Sequence, residues 1–137
     1  MALGSRAKKP LQNYSQVQVT TAGPGKRVVL MYDGILKNLR IAEEGMHELS
    51  PAGIENVHNA LQLAQKIILE LQLALDHDNG GEIAKTLDGL YAFWLEHLSE
   101  ANIKKDPASV QTIYTMVKDL RDAWDQAVRD ARKQGIM

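Results

Sequence analysis

The chain has 137 residues, of which 24% are charged, and its formal net charge is −1. One domain of this length can bury a sizeable core. The balanced charge provides no basic field to neutralise phosphates, which argues against nucleic acid or an anionic membrane as the main partner. Cysteine is absent, so disulfides, thiolate metal sites and cysteine nucleophiles are excluded. No apolar run approaches the roughly 18 residues that span a bilayer, and residues 1–10 contain no apolar signal-peptide core, so we expect a cytoplasmic protein without membrane insertion.

The N-terminal part of the chain lacks a helical pattern. Residues 1–12 are predicted to form a flexible tail. Tyr14, Val17 and Val19 belong to a stretch in which apolar and polar residues alternate, as they do in an extended segment. Because one such stretch cannot form a sheet by itself, we expect it to lie on the rest of the domain or to wait for a partner.

Proline and glycine signals divide the remaining chain into four segments. Pro24, Pro51 and Pro107 each suit the first turn of a helix, and the two glycines after Asn79 mark a strong break. Between these signals the apolar residues recur every three or four positions, as in an amphipathic helix. Short connections make neighbouring helices antiparallel. We therefore predict an all-α, up-down-up-down four-helix bundle over residues 13–134, preceded by an extended or short helical cap segment, with helices over approximately residues 24–47, 51–77, 82–105 and 107–133.

The predicted helices carry more apolar residues than one buried face requires. On the second helix, Leu63 with Ile67 widens one side of the apolar face, and Leu69 with Leu73 lies well round on the other side. Isolated apolar residues are normal on protein surfaces, and the first pair is equally compatible with a broader core face. A groove that accepts an amphipathic helix is the other interpretation. The candidate docking residues are Leu30, Ile41, Leu63, Ile67, Leu69 and Leu73.

The sequence contains no convincing catalytic or metal-binding pattern. Glu44 with His47 and Glu55 with His58 form two Glu-x-x-His pairs, which hold metal ions in ferritin-like bundles. Both pairs lie near the same inter-helix connection, at the end of the bundle, and apolar residues occupy the middle of the other two helices. We therefore predict no catalytic residue, no metal site and no cofactor.

Three stretches of the chain resemble the flagellin export chaperone family, FliS. Residues 13–34 (NYSQVQVTTAGPGKRVVLMYDG) are similar to the opening of that family, and residues 80–110 are similar to its third helix and the following turn. Residues 121–124 (RDAW) match a motif of its fourth helix. The resemblance extends in register over about residues 13–131.

The resemblance implies a cytosolic bacterial chaperone without enzymatic activity. Such a chaperone binds the disordered C-terminal segment of flagellin, prevents its premature polymerisation and supports its secretion through the flagellar type III export apparatus. Export gate or regulatory proteins are further candidate partners. The resemblance also assigns Tyr14, Val17 and Val19 to a self-cap that the client displaces, and it assigns the surplus apolar residues to client contacts.

A second function class remains open at this stage. In that alternative the chain is a structural helical bundle without a flagellin client, and its surplus apolar faces close an oligomer. The molecular mass in solution, with and without a flagellin C-terminal peptide, distinguishes the two functions. The chaperone interpretation predicts that Ile67→Asp weakens client binding while the helix content stays unchanged.

Overall fold

The computed structural model describes residues 23–135, and every regular element in that range is an α-helix. The predicted all-α fold class is confirmed. The flexible tail over residues 1–12 and the self-cap residues Tyr14, Val17 and Val19 lie outside the described residues. The helices are α1 (Pro24–Met46), α2 (Pro51–Leu73), α3 (His77–Lys104) and α4 (Pro107–Lys133).

The four helices form the predicted antiparallel bundle. α1 packs against α2 and α4, α3 packs against the same two helices, and the diagonal pairs make no close backbone contact. Contacts between α1 and α4 show their opposite directions, since Asp33 contacts Arg121 while the later residue Arg40 contacts the earlier residue Tyr114. Each helix therefore has two neighbours and one surface that no described helix covers.

Side-chain caps explain where three of the helices begin. The Ser50 hydroxyl accepts a hydrogen bond from the Gly53 backbone N–H at 3.0 Å, at the start of α2. Asp76 and Asp106 act in the same way at the starts of α3 and α4. These caps satisfy backbone N–H groups that have no partner within the helix. α1 follows Gly23, which supplies no side chain for this purpose.

The connection between α2 and α3 differs from the prediction in its position. α2 ends at Leu73 rather than at residue 77, and α3 begins at His77 rather than at residue 82, because Asp76 caps a short first turn. The predicted glycine break appears inside α3 as a kink at Gly81, which has φ 53° and ψ −131°. Glycine tolerates this positive φ without steric penalty.

The core lies along the axis of the bundle and is apolar. No charged residue is buried among residues 23–135. Ile54 and Ile83 continue the apolar period of α2 and α3, but both lie near the starts of these helices and are exposed. The largest fully buried side chains include Trp94, Tyr32, Tyr91, Ile35, Leu39, Leu61, Ile68, Leu98 and Ile113. Within the described range, none of the helices is long and apolar enough to cross a membrane.

Candidate docking groove

A shallow, open groove of about 740 Å³ lies on the outer surface of α2 beside α3. Two leucines of α2 contribute its main apolar surface: Leu63 is 50% exposed and Leu69 is 45% exposed. Leu95 of α3 adds a third apolar side chain. We call this surface the docking groove, and its lining residues are Asn59, Gln62, Leu63, Gln65, Lys66, Leu69 and Leu95.

Helical geometry explains why α2 presents these residues outward. Its core residues, such as Leu61 and Ile68, occupy one side of the helix. Leu63, Lys66 and Leu69 follow one another at intervals of three positions, so each is rotated by about 60° from the previous one. With a rise of 1.5 Å per residue, the two leucines are about 9 Å apart along the axis. A docked helix would span this distance in one to two turns.

Polar contacts between α2 and α3 hold the groove in a fixed shape. The Gln65 side-chain amide donates to the Leu95 carbonyl oxygen at 3.2 Å and to the Ser99 hydroxyl at 2.8 Å. Farther along the helix, the Gln72 amide donates to the Asp88 carboxylate at 3.0 Å. These bonds join the two helices directly, and a surface held in this way loses less conformational entropy when a partner binds.

A third residue of α2 forms a bond in the same seam, between the His58 ring and the Asn102 amide at 3.0 Å. His58, Gln65 and Gln72 are spaced by seven positions, and they lie on the side of α2 that faces α3. This repeat of polar residues beside an apolar seam is a sequence signal for the α2–α3 contact. The use of His58 in this contact also gives it a structural role at the α2–α3 interface.

Charge is sparse on this surface. Among residues 23–135, Lys66 is the only charged residue that lines the groove, and Asn59 and Gln62 contribute uncharged amides. The outer face of α4 is different, because it carries ion pairs such as Lys118 with Asp122 at 2.9 Å and Arg129 with Asp125 at 3.0 Å. Depletion of charge around exposed apolar residues is typical of the central part of a protein interface.

The structure places Ile67 in a different environment from Leu63 and Leu69. Ile67 is half-buried and packs against the core, close to α1: a Cβ atom at Gly34 would lie 3.1 Å from the Ile67 Cδ1 atom. Ile67 therefore seals the seam between α1 and α2. An aspartate at this position would place a charge against apolar neighbours, so Leu69 is a more selective position for a binding test.

The remaining predicted docking residues lie outside the groove. Leu73 is 77% exposed and is the last residue of α2. Ile41 is exposed on α1, and Leu30 is half-buried on the same helix. The structure thus brings Leu63 and Leu69 together in one groove. It also adds Leu95, which was not among the predicted docking residues. The predicted residues that do not line the groove are Leu30, Ile41, Ile67 and Leu73. Leu95 directly follows the buried Trp94, so it lies about 100° from the core direction, toward α2.

Metal-ligating groups are not clustered in residues 23–135. No group of three or more His, Asp or Glu side chains in that range is arranged to hold a metal ion. The described site therefore offers apolar contact, amide hydrogen bonds and one positive charge, which are the elements of a binding surface.

Comparisons with known proteins agree on one family. A family model described as flagellar protein FliS matches residues 7–131. The flagellar secretion chaperone FliS of Bacillus subtilis is 32% identical over 126 residues, which cover 92% of this chain and 91% of that protein. The protein of the same name from Vibrio cholerae is 32% identical over 121 residues, which cover 85% of this chain and 86% of that protein. A crystal structure described as a flagellar chaperone from bacteria superposes with a TM-score of 0.71 at 21% identity, covering 90% of this chain and 98% of that one.

Proposed function

The chain belongs to the FliS family of flagellar proteins, and from this membership we propose that it is a cytosolic export chaperone whose client is the C-terminal segment of flagellin. In this role it keeps the bound segment from polymerising prematurely and supports its secretion through the flagellar type III export apparatus. The relatives named above are flagellar secretion chaperones, which supports the general role. The identity of the client and of the export apparatus is our inference.

The observation that carries the proposal is the docking groove. Leu63 and Leu69 are both about half exposed, and they share one groove with Leu95 instead of standing apart. A disordered client that folds on binding loses conformational entropy, so it needs preformed apolar surface to compensate. A groove between antiparallel helices provides that surface and accepts an amphipathic helix.

The binding free energy available from the two leucines is too small for a stable complex, which indicates that the client covers more than the groove. Complete burial of one leucine contributes about 1.5–3 kcal/mol, so covering these two half-exposed leucines contributes about 2 kcal/mol. A micromolar complex requires about 8 kcal/mol. We therefore propose that the client extends beyond the groove to other exposed apolar residues, with Ile41 and Leu73 as the next candidates.

Calorimetric titration of the full chain with the C-terminal peptide of the cognate flagellin tests the proposal. We expect binding by the wild type and at least tenfold weaker binding by Leu69→Asp. The matched control is Ile103→Asp, because Ile103 is 83% exposed on α3 and does not line the groove. Circular dichroism of both variants should match the wild type.

Two outcomes would contradict the proposal. The first is the absence of peptide binding by the wild type. The second is equal weakening by Leu69→Asp and Ile103→Asp, which would remove the groove from the binding surface. A dimer whose mass in solution does not change on addition of the peptide would support the structural-oligomer alternative instead.

A further inference from the structure

Lys66 occupies the middle of the docking groove. It lies three positions after Leu63 and three positions before Leu69, so its side chain leaves α2 between the two exposed leucines. It is exposed, and the other residues that line the groove are apolar or carry amides. Any helix that covers both leucines must pass over this ammonium group.

Lys66 has no carboxylate partner in the part of the chain that the structure describes. Glu70, four positions farther along α2, is placed for an intrahelical pair, but no oxygen of Glu70 lies within ion-pair distance of the Lys66 Nζ atom. The groove residues contributed by α3 and the rest of α2 are uncharged. An ion pair at this spacing does form on α4, where Lys118 pairs with Asp122.

We propose that the docking groove binds a helical segment that carries a carboxylate between two apolar anchors, with Lys66 as the partner of that carboxylate. This inference rests on the proposed chaperone function and specifies the chemistry of the client segment. A helix without an acidic residue at this place would partly desolvate the ammonium group without replacing its lost contacts to water. A carboxylate restores them and fixes the register of the client, because charge pairs at an interface determine specificity more than affinity.

The test is a carboxylate scan of the cognate flagellin C-terminal peptide. In each synthetic peptide one Asp or Glu is replaced by Asn or Gln, and each peptide is titrated into the wild type and into Lys66→Met. Methionine keeps the apolar stem of lysine and removes only the charge. Lys104→Met is the matched control, because Lys104 is an exposed lysine of α3 that does not line the groove.

We expect Lys66→Met to weaken binding of the unmodified peptide by about three- to fivefold, the upper part of the range for a solvent-accessible ion pair. One peptide in which a carboxylate is replaced by an amide should bind the wild type more weakly by a similar factor. The same peptide should bind Lys66→Met with the same affinity as the unmodified peptide does, as a coupled pair requires. The wild-type complex should also weaken more steeply with added salt than the Lys66→Met complex. Lys104→Met should behave as the wild type does.

The inference is overturned if every peptide shows the same ratio of affinities for the wild type and Lys66→Met. It is also overturned if Lys66→Met and Lys104→Met have equal effects. Either result would leave the chaperone proposal intact, since that proposal depends on binding by the wild type and on the loss caused by Leu69→Asp.

Discussion

The hydroxyl oxygens of Tyr32 and Tyr91 lie 2.5 Å apart in the interior of the bundle. Tyr32 belongs to α1 and Tyr91 to α3, so this bond joins two helices that are diagonally opposite and make no close backbone contact. Both side chains are buried, and the Tyr91 hydroxyl has no other hydrogen-bond partner within residues 23–135. The pair therefore satisfies two polar groups at the centre of an apolar core.

Removing either member of this pair should destabilise the fold, and the two losses should not be additive. Tyr32→Phe leaves the Tyr91 hydroxyl buried without a partner, which costs about 1–3 kcal/mol. The double variant Tyr32→Phe/Tyr91→Phe removes both polar atoms, so its loss should be smaller than the sum of the two single losses. Urea unfolding of the four proteins measures the coupling. Strictly additive losses would show that the two hydroxyl groups do not stabilise each other.

The same pair makes stability fall at alkaline pH. Burial raises the pKa of the Tyr32 phenol, and burial also raises the pKa of Tyr91, although the hydrogen bond to Tyr32 partly opposes that shift. In the unfolded chain both phenols lose their protons near pH 10. The folded state keeps protons that the unfolded state releases above that pH, so the stabilisation is complete below about pH 10 and decreases as the pH rises further.

We expect the free energy of unfolding to decrease above about pH 10, and to decrease less steeply in Tyr32→Phe/Tyr91→Phe. The lysines titrate in both proteins, so the difference between the two curves of unfolding free energy against pH isolates the contribution of the two tyrosines. Tyrosinate absorbance in the native state gives an independent measure. Parallel pH curves for the two proteins would contradict the prediction.

Two glycines should respond to alanine in opposite directions. A Cβ atom at Gly45 on α1 would lie 2.7 Å from the Val57 Cγ2 atom of α2, and Val57 is a fully buried residue with a stiff side chain. Gly45→Ala should therefore lower the free energy of unfolding by about 1–3 kcal/mol through overpacking. At Gly89 on α3 nothing lies within 4 Å of the added atom, so Gly89→Ala should raise stability by up to about 1 kcal/mol through helix propensity.

Thermal unfolding of the two glycine variants provides the measurement. The comparison separates packing from propensity, because both substitutions add the same atom to a helix. An upward shift of the midpoint for both variants would show that the α1–α2 contact can relax around the new methyl group, and a downward shift for both would contradict the prediction for Gly89.

Deletion of residues 1–19 should increase the exposed apolar surface. This prediction follows from our proposal that Tyr14, Val17 and Val19 form a self-cap, which would shield apolar residues until a client displaces it. Binding of an apolar dye, or self-association in sedimentation, should rise in the truncated protein. Deletion of residues 1–12 is the matched control, since it removes only the predicted tail. Equal dye binding by both truncated proteins and the full chain would argue against the cap.

Much of the fold is predictable from local sequence signals. Ser50 and Asp106 with the prolines that follow them define the starts of two helices, because capping and the geometry of proline act within one turn. The apolar period identifies the buried side of each helix, since helical geometry converts spacing directly into direction. Exceptions occur near helix ends, where Ile54 and Ile83 continue the period but remain exposed, because burial there depends on whether a neighbouring helix extends far enough to cover them.

The sequence by itself thus determined the number of helices, their approximate bounds, their buried faces and the existence of surplus apolar residues. Only the tertiary structure decided which of those residues share a surface. Leu63 and Leu69 point in directions about 120° apart on α2, and both line the open surface to which Leu95 of α3 contributes. Ile67, four positions from Leu63, packs instead beside Gly34. Exposure of a side chain depends on the rotation and spacing of the neighbouring helix, and these are set by contacts between residues that are distant in the chain.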